Sequence, residues 1–155
     1  VTLNGRSIAH LAGVHPDLVR VVLRAAADGA IFIVTEGVRS YERQTMLVAA
    51  GKSRTLNSRH LHGMAVDLAV KTLDGGVSWN RDDYRVLAGF MKAAARELAV
   101  PIRWGGDWVS FVDAPHFELD RAYFPDPVLD LTRPSTDEQP LFAQSPDPGS
   151  SPPHA

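Results

Sequence analysis

A chain of 155 residues with a formal charge of −2 and no cysteine has the length for one domain with a single core. The charge balance gives no general attraction to nucleic acid or anionic membranes, and no stretch reaches the roughly 18 apolar residues of a membrane span. Without thiols there is no disulfide framework and no thiolate metal site, so any metal must use His, Asp or Glu.

In chain order, Pro16 opens a first helix with Leu18, Val21, Val22 and Ala25 at helical spacing, ending near Gly29. The β-branched run Ile31 to Thr35 reads as a strand. Ser40, followed by Glu42 and Gln44, starts a second helix that stops at Gly51. Met64 to Val70 alternates around Asp67 and reads as a second strand. Asn80, with an acid three residues on, caps a long helix carrying Tyr84, Leu87, Ala88, Met91, Ala95 and Leu98 on one face. Ile102 to Trp104 and Pro115 to Leu119 are further short strands. The expected class is α+β, a small, mainly antiparallel sheet with flanking helices, since long βαβ units are lacking.

From Pro125 onward the composition changes, with eight of the eleven prolines mixed among Ser, Asp, Gly and Gln. Phe124 to Leu131 holds enough apolar residues to pack back on the body. The expected division is therefore a folded domain over 1–131 and a Pro/Ser/Asp-rich tail over 132–155 without stable order.

Chemistry concentrates in two segments, Ser58-Arg59-His60-Leu61-His62-Gly63-Met64-Ala65-Val66-Asp67 and Asp113-Ala114-Pro115-His116-Phe117-Glu118-Leu119. His60, Asp67 and His116 make a two-imidazole, one-carboxylate set of the kind that holds zinc and leaves one position open. Asp67 interrupts an apolar strand, where a carboxylate is costly unless a cation or hydrogen bonds satisfy it; the alternative is a salt bridge to an arginine. His116 alternates with Phe117 and Leu119, so its ring faces away from them, and Glu118 shares its face as an acceptor for an imidazole N–H or as an exposed strand charge. His62 reads as a rim residue. Asp113 lies three residues before His116, so only a bend at Ala114-Pro115 would bring both to one point. The acids of Asp74-Gly75-Gly76 and Asp82-Asp83 miss the alternation of a calcium loop. Arg20, Arg24, Lys52, Arg54 and Arg59 are scattered without interleaved aromatics, against nucleic-acid binding.

The two segments together resemble the zinc peptidases of the VanY and VanX group, and above all the phage endolysins that cut the L-alanyl-D-glutamate bond of peptidoglycan. Gly13-Val14-His15-Pro16-Asp17-Leu18, Thr35-Glu36-Gly37-Val38-Arg39-Ser40, Arg43-Gln44 and Ile102-Arg103-Trp104-Gly105-Gly106-Asp107-Trp108 extend the likeness from about residue 6 to about residue 125. Met64 stands where these endolysins often carry His, and His62 where a small polar residue is usual. The resemblance implies a hedgehog/DD-peptidase-like zinc peptidase fold, one zinc per chain on His60, Asp67 and His116, and Asp113 as the base. It also implies Arg39 on a substrate carboxylate or the oxyanion, the alternative being a surface arginine paired with Glu36 or Glu42. Ser58 would meet the substrate backbone, or else serve only as a turn cap, and Trp108 with Trp104 and Gly105-Gly106 would wall the cleft. The implied substrate is the stem peptide, attacked by a monomer. With no charged-then-apolar signal segment at the start, such an enzyme is expected to be made in the host cytoplasm and to act on the wall in the periplasm after release. Two other readings stand beside it, a D-alanyl-D-alanine carboxypeptidase or dipeptidase and an inactive peptidoglycan-binding module.

Overall fold

The computed structural model describes residues 2–127, so the boundary expected at 131/132 and the tail beyond it lie outside the described residues. Among the described residues four helices and four strands follow one another: α1 (Gly5–His10), α2 (Pro16–Ala27), β1 (Phe32–Glu36), α3 (Tyr41–Ala49), β2 (Ala65–Val70), α4 (Arg81–Leu98), β3 (Ile102–Trp104) and β4 (His116–Leu119). Single 3₁₀ turns at Arg59–His62 and Gly105–Asp107 complete the set.

The expected helices start where their caps are. His15 and Pro16 begin α2, Ser40 Oγ accepts from the Arg43 amide at α3, and Asn80 accepts from the Asp82 amide at α4. Helix α1 was not expected. Its signal is Asn4, whose side chain accepts from the Ser7 amide. One six-residue turn has too little apolar periodicity to be read without that cap.

The strands form one antiparallel sheet in the order β1-β2-β4-β3. One face carries Phe32, Val34, Val66, Leu68, Phe117 and Leu119 into the core, where they meet Leu18, Val21 and Val22 of α2 and Leu87 and Met91 of α4. The other face carries the polar row. Asp67 is directly opposite His116 on β4 and opposite Glu36 on β1. Strict alternation would send Glu36 into the core with Phe32 and Val34. A β-bulge prevents this: the register shifts between Val34 and Glu36, which takes one extra residue on β1 and turns Glu36 onto the face of Asp67.

Candidate metal centre

His60 stands on the 3₁₀ turn that precedes β2. Ser58 caps that turn by accepting from the His60 amide at 3.2 Å, and the His60 carbonyl accepts from the Arg39 amide at 3.0 Å. The turn closes at Gly63, whose φ of 68° is left-handed and whose missing Cβ would stand 2.6 Å from the Gly13 carbonyl oxygen. Only glycine meets both demands. The neighbours Asn57, Ser58 and Arg59 are all polar, yet the His60 side chain is fully buried.

The ring orientations follow from hydrogen bonds. His60 Nδ1 lies 2.9 Å from the Gly37 carbonyl, which only accepts, so Nδ1 carries the proton and Nε2 is bare. His116 Nε2 lies 3.0 Å from Glu118 Oε1 and donates to it, leaving Nδ1 bare. Both bare nitrogens face Asp67 Oδ1, at 3.3 Å from His60 Nε2 and 3.4 Å from His116 Nδ1. One ligand atom from each of the three residues falls within a 4.8 Å group.

Three acceptors converging in a buried place repel unless a cation lies between them. His60 Nε2 and Asp67 Oδ1 are indeed buried without a hydrogen-bond partner. Ligands about 2.0–2.1 Å from one tetrahedral ion lie roughly 3.3–3.4 Å apart, which is the spacing of Asp67 Oδ1 from each imidazole nitrogen. The residues therefore fit a metal of zinc's size. Electrostatics agree. Burial would raise the Asp67 carboxyl, yet the close approach and charge of His116 and His60 hold it far below the usual carboxylate range. Burial likewise opposes charge on His116, but Asp67 and Glu118 push it up to about 9. Without a metal, a proton takes the cation's part.

Glu118 is buried and bridges onward. Burial raises its carboxyl, and the His116 hydrogen bond and charge, with Arg121 and Arg59, bring it below the ordinary value. Its other oxygen is 3.4 Å from Arg59 Nε. Arg59 is among the most buried side chains in the protein and donates Nη2 to the Leu119 carbonyl at 2.8 Å and Nη1 to Asp126 at 2.9 Å. In the sequence Arg59 is one of several scattered cations with no role assigned to it. Its adjacency to His60 was the one available sign of its place.

Asp113, Arg39, Ser58 and Trp108 all line one cleft of about 300 Å³ with the three candidate ligands. The bend expected before β4 is present: the His116 amide donates to the Asp113 carbonyl at 3.2 Å, and the Asp113 amide donates to Gly105 at 3.0 Å. Gly105 permits that approach, since a Cβ there would stand 2.3 Å from the Asp113 carbonyl oxygen. Burial and then the charge of Asp67 push the Asp113 carboxyl up, against the pull of His116, His60 and Arg39. The Trp108 ring sits 5.1 Å from that of His116. Arg39 forks onto Glu36, Nε at 2.8 Å and Nη2 at 2.9 Å, gives Nη1 to Gln44 at 2.8 Å, and brings Nη2 to 3.5 Å from Asp67 Oδ2. Asp67 thus meets an arginine with one oxygen and the imidazoles with the other. His62 stays outside the group, bonded to Asn57.

Over residues 1–132 the sequence matches the family of the phage L-alanyl-D-glutamate peptidase. The crystal structure of the Serratia marcescens L-Ala D-Glu endopeptidase ChiX is similar at a TM-score of 0.75 and 44% identity, covering 80% of this chain and 94% of that one. The peptidoglycan L-alanyl-D-glutamate endopeptidase CwlK of Bacillus subtilis is 29% identical over 107 residues, 61% of this chain and 64% of CwlK, so the chain spans just under two thirds of that relative's length. The L-alanyl-D-glutamate peptidase of Escherichia phage T5 is 31% identical over 121 residues, 74% of this chain and 85% of its own. With a match running from the first residue past the last strand, the chain belongs to the phage L-alanyl-D-glutamate peptidase family.

Proposed function

We propose that the chain is a zinc-dependent peptidase that hydrolyses the L-alanyl-D-glutamate bond of peptidoglycan stem peptides and acts as a monomer on the cell wall. The convergence of two bare imidazole nitrogens on Asp67 carries this reading. Three protein ligands from one chain make a one-metal site that needs no second subunit.

A zinc ion on His60, Asp67 and His116 supplies Lewis acidity and a nucleophile effective near neutral pH. The protein does the rest. Asp113, raised by burial and by Asp67, takes the proton of the attacking water and returns it to the leaving amine. Arg39 supports the developing oxyanion from beside Asp67. Ser58 and Trp108 position the peptide along the cleft they line.

Digestion of purified peptidoglycan, with new termini identified by mass spectrometry, tests the reading. New alanine carboxyl and glutamate amino termini are expected. Release of D-alanine or its dipeptide would replace the reading by the D-alanyl-D-alanine one. Binding with no new termini at full zinc occupancy would leave the inactive module.

A further inference from the structure

The cleft is lined by five cations, and three of them are committed. Arg39 shares its charge between Glu36 and Asp67, Arg59 is buried among Glu118, Leu119 and Asp126, and Arg121 faces Glu118 at 3.6 Å. Lys52 and Arg54 remain, and among the described residues neither meets a carboxylate. Both lie on the segment after α3, which is fastened on either side of Arg54, at the Ser53 hydroxyl and at the Thr55 carbonyl. The fully buried Gln44 donates Nε2 to Ser53 Oγ at 2.9 Å and to the Thr55 carbonyl.

Arg54 is also held from across the cleft. Its guanidinium lies over the Phe111 ring, 4.6 Å from the centroid, and Phe111 keeps a left-handed φ of 54°. An L residue with a large side chain adopts that conformation at a cost. Stacking occupies the face of the guanidinium and leaves its N–H edge free, the edge that pairs with a carboxylate in two parallel hydrogen bonds.

A glutamyl residue joined to a peptide through its nitrogen and one carboxyl keeps the other carboxyl free. An enzyme for the L-alanyl-D-glutamate bond therefore meets an anion beside the bond it cuts. We propose that Arg54, stacked on Phe111 and assisted by Lys52, is the subsite that receives this free carboxylate. The assignment rests on the L-alanyl-D-glutamate reading above, and it gives the substrate anion to Arg54 rather than to Arg39.

Two peptides test it, L-alanyl-γ-D-glutamyl-lysine and the same peptide with the free glutamyl carboxylate converted to an amide. Zinc-loaded wild type should prefer the acid by about 10–100-fold in kcat/KM, the range for hydrogen bonds to a charged group. Arg54→Ala should lose most of that preference through KM while keeping zinc, and Arg54→Lys should restore it only in part. An unchanged acid-to-amide ratio in Arg54→Ala overturns the proposal. Binding, followed by Trp108 fluorescence, separates the two readings. If wild type cuts neither peptide but binds the acid more tightly, and Arg54→Ala abolishes that difference, the bond assignment fails and the carboxylate subsite stands. If wild type binds acid and amide alike, the subsite is refuted whatever is cut.

Discussion

Glu118 Oε1 lies 3.0 Å from His116 Nε2, two residues along the same strand and on the same face. A carboxylate there does more than accept a hydrogen bond: it selects the tautomer that aims Nδ1 at Asp67. Glu118→Ala should therefore weaken zinc binding by about 10–100-fold, the usual cost of losing an acceptor behind a metal-ligating histidine. Glu118→Gln, which keeps an acceptor oxygen, should lose less. Competition with a chromogenic chelator reads both, and an Ala variant with wild-type affinity would refute the orienting role.

Arg59 joins this pair to the segment after β4. With its side chain buried against Glu118, removing one partner of the pair should cost about 3–5 kcal/mol. Arg59→Met should show that loss in urea unfolding of the metal-free protein, and Arg59→Lys should recover little, because a single ammonium does not span Glu118, Leu119 and Asp126 together. A change below about 1 kcal/mol would mean the pair contributes nothing beyond a neutral contact.

Asp113→Asn should keep fold and zinc and reduce turnover by roughly 10²–10⁴-fold, since it removes proton transfer and leaves the ligands alone. Metal analysis beside single-turnover kinetics checks this. Wild-type turnover in the variant would refute the base role of Asp113.

Acidity supplies a further test. His116 is raised from 6.5 to about 9 in the metal-free protein. A raised pKa contributes stability that is fully present below pH 6.5 and is lost as pH climbs through about 9. The chelated protein should therefore lose melting temperature from pH 6.5 to 9. Zinc must displace that proton, so its affinity should tighten over the same interval and level off above it. Calorimetric scans with and without zinc should diverge most at the alkaline end. A gap that shrinks as pH rises would contradict the assignment.

Much of the candidate site was legible in the sequence because the chemistry of side chains that can hold a metal is local. Asp67 between Val66 and Leu68, and His116 beside Phe117, announce themselves by violating an apolar pattern. The long helix from Asn80 was legible through its cap and period. What escaped depends on distant partners. The burial of His60 comes from Gly37 and Arg39, more than twenty residues earlier in the chain. Arg59 looks like any surface arginine until Asp126 and Glu118 arrive from the other end. Gln44 resembles an ordinary helix polar residue until the segment bearing Ser53 and Thr55 folds over it.

The extra residue in β1 works like an inserted letter in a reading frame. Up to Val34 the strand is spelled for the core. After the bulge, the same two-step alphabet is read on the opposite side, and Glu36 lands against Asp67. Substitutions at Thr35 would leave that parity alone, but deleting it would reverse the sense of everything as far as the Gly37 carbonyl that orients His60. This edge of the site is thus tolerant of spelling and intolerant of length. What position 35 must supply is a residue to be counted, beyond the one bond that the Thr35 hydroxyl donates to the Asp67 carbonyl.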